Sequence, residues 1–124
     1  MELREGAQGE AIYQLERELN IKLPDEYKDF MQYSNGGVGT IGDNYLEIWP
    51  IEEINSSNQE LLVEEFAPGL LLFGGDGANE LFAFDTREAN LPVVNVPMIV
   101  MCHDDAQFCN ETFLGFLNDL SVSK

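Results

Sequence analysis

The spacing of apolar residues predicts a helix near the start of the chain. Between residues 8 and 20, Ile12, Leu15 and Leu19 recur at intervals of three and four. This spacing places them on one stripe of an amphipathic helix, with polar residues on the opposite side. A link of only a few residues follows, so we expect the next helix to lie beside this one.

The second predicted helix, within residues 23–37, has recognisable signals at both ends. Pro24 suits the first helical position because it has no N–H to lose, and Asp25 and Glu26 suit the positive end of the helix dipole. The asparagine and two glycines at 35–37 tolerate positive φ and predict the end of the helix. The predicted inward face consists of Tyr27, Phe30, Met31 and Ser34.

Strands dominate the centre of the chain. Residues 44–49 are rich in aromatic and branched side chains and predict a strand that ends at Pro50. Residues 70–73 and 80–85 flank a glycine-rich turn and predict a hairpin. Two β-rich runs, 93–96 and 98–101, are separated by Pro97, which indicates an edge, a bend or a bulge. The glycine-rich residues 36–43 predict turns with room for one short strand.

Three further helical segments are predicted around these strands. Residues 50–54 form a single turn, and residues 57–66 form a helix with Leu61, Leu62 and Phe66 facing inward. The last helix covers residues 110–120, with Asn110 as its N-cap. Its predicted apolar face consists of Phe113, Leu114, Phe116, Leu117 and Leu120.

This order of elements predicts the α+β class in a single domain covering residues 1–124. We expect N-terminal helices, a mostly antiparallel twisted sheet, and a C-terminal helix packed on the sheet. The length of 124 residues suffices for one substantial core. No run approaches the roughly 20 apolar residues of a membrane helix, and the polar N-terminus does not resemble a signal peptide. A cytoplasmic location is therefore predicted.

The charge is strongly one-sided, since 23 acidic residues face six basic ones and give a formal net charge of −17. The acids occur throughout the sequence rather than in one tail. Such a surface repels nucleic acids and anionic membranes and attracts basic proteins. The alternative is an acidic protein whose charge serves solubility alone.

Two local patterns have the residue types of functional motifs but not the spacing or the neighbouring elements that those motifs require. Residues 37–42 match G-x-G-x-x-G, yet they follow a predicted helix and lead into a strand, the reverse of a dinucleotide site. Cys102, His103 and Cys109, with the acids between them, are metal-ligand types without the paired spacing of zinc sites. Adjacent strand residues point to opposite faces, so a Cys102–His103 catalytic pair is disfavoured as well. We therefore expect no enzyme activity, no cofactor and no metal.

Three blocks together resemble the SUKH superfamily, a group named partly after a fungal regulator of cell-wall assembly and killer-toxin resistance. The blocks are residues 21–37, residues 45–54 with Trp49-Pro50, and residues 70–85 with the Gly-Gly-Asp-Gly turn. Residues 112–117 form a weaker fourth block. The resemblance implies a compact α+β domain without catalytic residues of its own. It also implies either a bacterial immunity protein that binds a cognate toxin, often a nuclease, or an intracellular adaptor or regulator with no toxin partner.

A basic toxin domain is the partner that best fits both this resemblance and the negative charge. The expected contacts are acidic side chains in loops together with aromatic anchors, because charges at the rim of an interface mainly alter association rates. Each of these residues has the alternative of a solvated charge or a core position, and the sequence leaves the oligomeric state open. The predicted partner-binding residues are Asp43, Tyr45, Trp49, Asp76, Glu80, Asp104 and Asp105.

Overall fold

A computed structural model describes residues 2–3, 5–98 and 106–122 of the chain. The predicted strand at 98–101 lies outside these residues except for Met98. The metal-ligand types at 102–105 lie outside them as well, including the predicted partner-binding residues Asp104 and Asp105.

The described residues form five helices and seven strands. The helices are α1 (Gly9–Leu19), α2 (Asp25–Tyr33), α3 (Ile51–Glu60), α4 (Val63–Phe66) and α5 (Phe113–Val122). The strands are β1 (Glu2–Leu3), β2 (Gly37–Ile41), β3 (Asn44–Ile48), β4 (Leu70–Gly75), β5 (Glu80–Asp85), β6 (Val93–Pro97) and β7 (Gln107–Asn110).

The strands form one antiparallel sheet in which spatial order follows sequence order, from β1 to β7. Each strand in the described part of the chain pairs with its neighbour in sequence, including Val38 with Glu47 and Ala83 with Val94. The α+β class and the antiparallel sheet predicted from the sequence are therefore confirmed. Since strand direction alternates, the β2–β3 and β4–β5 connections leave the sheet at the same end.

One face of the sheet packs on helices through an aromatic core. The ring of Tyr27 in α2 lies 5.1 Å from Phe84 and 5.3 Å from Phe113, measured between centroids. Phe73 of β4 lies 4.6 Å from Phe84 by the same measure. Such tilted and edge-on pairs add to the free energy of area burial. The aromatic core therefore joins α2 and α5 to β4 and β5, which confirms that the C-terminal helix packs on the sheet.

The opposite face of β4 and β5 carries a separate aliphatic core. Successive strand residues point to opposite faces, so Leu72 contributes to this core while Phe73 contributes to the other. Helix α4 covers it with Val63, and Ala67 follows directly. The buried members are Val63, Ala67, Leu70, Leu72, Leu81, Ala83, Val94 and Val96.

The helices between β3 and β4 differ from the prediction. Residues 51–60 form one continuous helix rather than a single turn, and the chain then breaks at Leu62, whose φ is 55°. This left-handed residue rotates the following turn so that Val63 faces inward. Leu62 and Phe66 are consequently about half exposed, at 50% and 49%, and the prediction that they face the core was wrong.

The glycine-rich segment predicted as turns with room for one short strand contains such a strand, β2, which is hydrogen-bonded between β1 and β3. The start of the last helix differs from the prediction. Helix α5 begins after Thr112, whose Oγ1 accepts the N–H of Gly115 at 3.0 Å, so Thr112 occupies the capping role predicted for Asn110. Leu114 lies on the solvent side of this helix rather than on its apolar face, with 53% exposure.

The start of α2 differs from the prediction by one residue, whereas its end falls before Asn35 as predicted. Pro24 precedes the first helical residue, and its carbonyl accepts the N–H of Lys28 at 3.0 Å. After Tyr33 the backbone becomes extended at Ser34, which is buried although it lies outside the helix. Gly36 then has a φ of 83°, and a Cβ atom there would collide with the carbonyl oxygen of Ile48. Glycine at this position allows α2 to lead directly into the sheet.

Candidate protein-binding surface

The end of the sheet that carries the β2–β3 and β4–β5 turns brings together four of the seven residues predicted to bind a partner. We call this surface the hairpin end and define it by Asp43, Tyr45, Asp76, Gly77 and Glu80. The antiparallel order produces the juxtaposition, because Gly75 at the end of β4 pairs with Glu47, so the first residues of β3 extend past it beside the β4–β5 turn.

Tyr45 connects the two turns. A Cβ atom placed on Gly77 would lie 2.7 Å from Cδ2 and Cε2 of the tyrosine, so its ring lies directly against the glycine backbone. Gly77 also has a φ of 78°, which a side chain would disfavour. The ring remains 45% exposed. An aromatic ring held on one face and open on the other is well placed to contact a partner, because little entropy is lost when it binds.

The C-terminal end of α5 fixes the β2–β3 turn. The side-chain amide of Asn44 donates to the carbonyl of Leu120 at 2.9 Å, and a Cβ on Gly42 would lie 2.7 Å from that same oxygen. This close packing leaves the neighbouring Asp43 exposed at the tip of the turn. Its carboxylate is therefore displayed on a turn that is anchored to a helix.

Asp76 organises the β4–β5 turn. Its Oδ1 accepts the N–H of Ala78 at 2.8 Å and that of Glu80 at 3.2 Å, while its own N–H donates to the Glu80 carbonyl at 3.1 Å. These bonds are typical of an aspartate turn, in which the side chain replaces a backbone acceptor. Asp76 thus has a structural role and also adds negative charge to the surface.

Glu80 is tied to the sheet by a chain of polar contacts across three strands. The Asn95 amide donates to Glu80 Oε1 at 2.5 Å, and the Cys109 thiol donates to Asn95 Oδ1 at 3.3 Å. Burial, together with the charges of Glu80 and Asp119, raises the pKa of Cys109 to about 11. The thiol is therefore protonated near neutral pH, and a protonated thiol is a poor nucleophile and a poor metal ligand.

Trp49 lies away from the hairpin end. It is partly buried, it packs against both cores, and its backbone N–H donates to the carbonyl of Phe73 at 3.0 Å. Four strand steps separate it from Tyr45, a distance of about 13 Å along β3. The structure thus places one of the two predicted aromatic anchors on the hairpin end and the other between the cores.

Sequence reasoning did not identify Met98 as part of this region. Its N–H donates to the carbonyl of Asn79 in the β4–β5 turn at 2.7 Å, and its side chain is 44% exposed. Pro97, which ends β6, was the available signal. Met98 adds a flexible apolar side chain beside the acidic turn.

No basic residue belongs to the hairpin end as the described residues define it. The sequence has no lysine or arginine between Lys28 and Arg87, although eleven acidic residues occur in that interval. Lys28 contacts Glu16 at 3.3 Å, and Arg87 contacts Asp85 at 2.9 Å, so both form ion pairs on other parts of the molecule. Among the described residues, the hairpin end therefore carries carboxylates and no lysine or arginine.

The motifs that resembled ligand sites have other structural roles. Residues 37–41 of the G-x-G-x-x-G match form β2, and Gly42 lies in the following turn with a φ of 62°. The match thus does not open a helix, as a phosphate-binding loop would. Within residues 2–3, 5–98 and 106–122, no three histidine, cysteine or acidic side chains are grouped in a way that could hold a metal ion.

The fold and the hairpin end define a small α+β domain with an acidic surface suited to contact with another protein. The family model of the SMI1 / KNR4 family (SUKH-1) matches residues 6–119, and the chain belongs to this family. Domains of this family are protein-interaction modules. A comparison with curated proteins gave no significant match. None of the helices in the described part of the chain has the length and apolar character required to cross a membrane.

Proposed function

We propose that this protein is an immunity protein that neutralises a basic toxin, such as a nuclease, by binding it through the hairpin end. The observation that carries the proposal is the half-exposed Tyr45 residue, held against Gly77 at the end of the sheet that also carries Asp43, Asp76 and Glu80. Membership of the SUKH-1 family supports a role in protein binding.

The two kinds of residue on this surface have different physical roles. Exposed carboxylates such as Asp43 attract a basic surface and accelerate association, but exposed charges add little to the final affinity. A fixed aromatic ring contributes more, because such residues carry most of the binding free energy in protein interfaces. A stable complex would bury about 800 Å² on each partner, so neighbouring residues would also be covered.

Co-expression with a toxin encoded beside this gene tests the proposal. The wild-type protein should restore growth and form a complex with the toxin in isothermal titration calorimetry. Tyr45→Ala should weaken binding about 30-fold, or about 2 kcal/mol. Tyr33→Ala is the matched control, because Tyr33 in α2 is 71% exposed and lies away from the hairpin end. Failure of the wild-type protein to protect cells or to bind the toxin would refute the proposal.

Charge variants distinguish long-range electrostatic attraction from direct contact in the complex. Asp43→Asn should slow association with the toxin and reduce its dependence on salt, with little change in dissociation. Glu88→Gln removes an exposed charge from the β5–β6 loop at the opposite end of the sheet and should have a smaller effect on association. Equal effects of the two variants would mean that the net charge, rather than the hairpin end, guides the encounter.

A regulatory adaptor is the second candidate, because the matched family model takes its name from SMI1 and KNR4 rather than from an immunity protein. In that case no toxin gene should adjoin this gene. Affinity purification should then recover a host protein whose binding is weakened by Tyr45→Ala and retained by Tyr33→Ala.

A further inference from the structure

A second acidic surface surrounds an apolar groove at the opposite end of β4. The groove lies between the end of α1, the α3–α4 corner and the start of β4, with a volume of about 520 Å³. We call it the corner groove. Val63, Leu70 and Leu71 are its buried apolar residues, and Leu62 forms an exposed apolar edge. Leu70 and Gly75 are the two ends of β4, so about 17 Å separates the corner groove from the hairpin end.

The apolar edge of the groove is held in an unfavourable backbone conformation. Leu62 has a φ of 55°, which costs a non-glycine residue free energy because Cβ approaches the following carbonyl. Its N–H donates to Gln59, and its carbonyl accepts the N–H groups of Glu65 and Phe66 at 3.0 Å each. These bonds fix the corner, yet the Leu62 side chain remains half exposed rather than buried in the core.

Acidic side chains border this apolar surface. Glu18 from α1 lines one side, and Glu64 and Glu65 from α4 line the other, while no lysine or arginine is among the described residues that line the groove. Arg17, the nearest base in sequence to Glu18, has its guanidinium 5.8 Å from the centroid of the Tyr13 ring. The corner groove therefore combines an apolar floor with a border of three glutamates and no basic lining residue.

We infer that the corner groove binds a linear basic segment of a partner protein, with one large apolar side chain between lysines or arginines. The apolar side chain would cover Leu62 and Leu70, and the flanking cations would lie near Glu18 on one side and Glu64 and Glu65 on the other. This arrangement matches both the charge and the apolar character of the groove. The site is distinct from the hairpin end, so the inference does not depend on the proposed toxin.

Selection from a phage-displayed library of random linear peptides, with the full chain as the target, tests the inference. The selected peptides should carry basic residues around a large apolar residue. Synthetic copies of these peptides should shift the amide resonances of residues 62–65 in NMR spectra. Selection of neutral or acidic peptides, absence of any enrichment, or shifts confined to the hairpin end would overturn the inference.

Variants of the groove then separate its apolar and charged components. Leu62→Gly removes the side chain but keeps the backbone, since glycine accepts this φ, and it should weaken binding of the selected peptides by at least about tenfold. Leu114→Ala trims a comparably exposed leucine on α5 and should leave peptide binding unchanged.

The double variant Glu64→Gln and Glu65→Gln should also weaken peptide binding, whereas the exposed pair Glu10→Gln and Glu88→Gln should not. Wild-type affinity in Leu62→Gly would contradict the inference. Tyr45→Ala should leave peptide binding intact whether or not a toxin binds the hairpin end, so the two proposals can fail separately.

Discussion

The two faces of the central sheet bury different kinds of side chain, although the same strands supply both. Leu72 and Phe73 are neighbours in β4, and each is 0% exposed. Phe73 enters a cluster of rings contributed by α2, α5 and the sheet, whereas Leu72 enters the smaller aliphatic core beneath α4. A strand that is covered on both faces needs packing residues on each face. Here the helices contribute aromatic side chains to one face only.

A bulge in β4 contributes to this difference. The pairing with β5 shifts between Leu72 and Gly74, and Gly74 pairs with Phe82 while Leu72 pairs with Ala83. Phe73 is therefore the extra residue of the bulge. A Cβ atom on Gly74 would collide with the carbonyl oxygen of Glu47 in β3, so the bulge depends on a glycine at that position. The bulge thus lies at Phe73, the one aromatic residue of β4, and leaves Gly74 and Gly75 paired with β3.

Phe73→Ala is expected to have the largest effect on stability. Its ring has centroids of Tyr27, Phe84, Phe113 and Phe116 within 5.9 Å, and its removal leaves a cavity between helices and sheet. Unfolding in urea should show a loss of about 4 kcal/mol. The fluorescence of the single tryptophan is a suitable probe, because Trp49 packs against both cores. Phe108→Ala, at a residue 65% exposed, is the control and should change stability by less than about 0.5 kcal/mol.

Leu72→Ala tests the aliphatic core in the same strand. Fewer atoms are removed and no ring contacts are lost, so the expected destabilisation is about 3 kcal/mol. The same urea titration measures it, and Leu114→Ala on the surface of α5 serves as the control. A loss greater than that of Phe73→Ala would mean that the smaller core contributes more to stability, and the comparison of the faces would have to be reversed.

The sequence predicted those elements whose signals are local. The apolar stripe of Ile12 and Leu15 predicted α1. The apolar run after the glycine-rich turn predicted β5 with the bounds that are observed. Strand β2 was predicted only as a possibility, because Gly37 and Gly39 have low β-propensity and the strand depends on pairing with β1 and β3. The break at Leu62 was missed because it depends on the packing of Val63 against the sheet, which is a tertiary contact.

The hairpin end could be predicted only in part, because it too depends on tertiary contacts. Asp43, Asp76 and Glu80 could be selected as acidic loop or loop-adjacent residues, but their proximity depends on the register between β3 and β4. The contact of Tyr45 with Gly77 joins residues 32 positions apart, and no periodicity along the chain indicates it. Trp49 and Tyr45 looked equivalent in the sequence, since both are aromatic residues of the same predicted strand. Only the packing of the two cores distinguishes the anchored surface ring of Tyr45 from the partly buried ring of Trp49.

Tyr27→Phe is expected to increase stability, in contrast to the two alanine variants of β4. The Tyr27 hydroxyl is buried within the aromatic core and has no hydrogen-bond partner among the described residues. Burial also raises the pKa of this hydroxyl above its ordinary value. Replacement by phenylalanine keeps the ring and removes the unpaired polar group, so stability should rise by about 1 kcal/mol. Tyr33→Phe, at an exposed tyrosine of the same helix, should have no effect in the same urea titration. A loss of stability in Tyr27→Phe would show that the hydroxyl has a favourable partner.

The smallest expected effect on stability comes from the Cys109 thiol at the border of the aromatic core, and it appears only at alkaline pH. The pKa of Cys109 is raised from 9.0 to about 11 in the folded protein, first by burial and then by Glu80 and Asp119. The folded state therefore retains a proton that the unfolded state has already released between these pH values, and stability must fall as the pH rises through this window.

Cys109→Ala removes this contribution, so the stability difference between wild type and variant should be constant below pH 9 and decline above it. Because the thiol is partly exposed and therefore screened, the change should stay below about 1 kcal/mol in urea titrations under reducing conditions. A difference that stays constant up to pH 11 would show that the thiol at the edge of the aromatic core is solvated rather than buried.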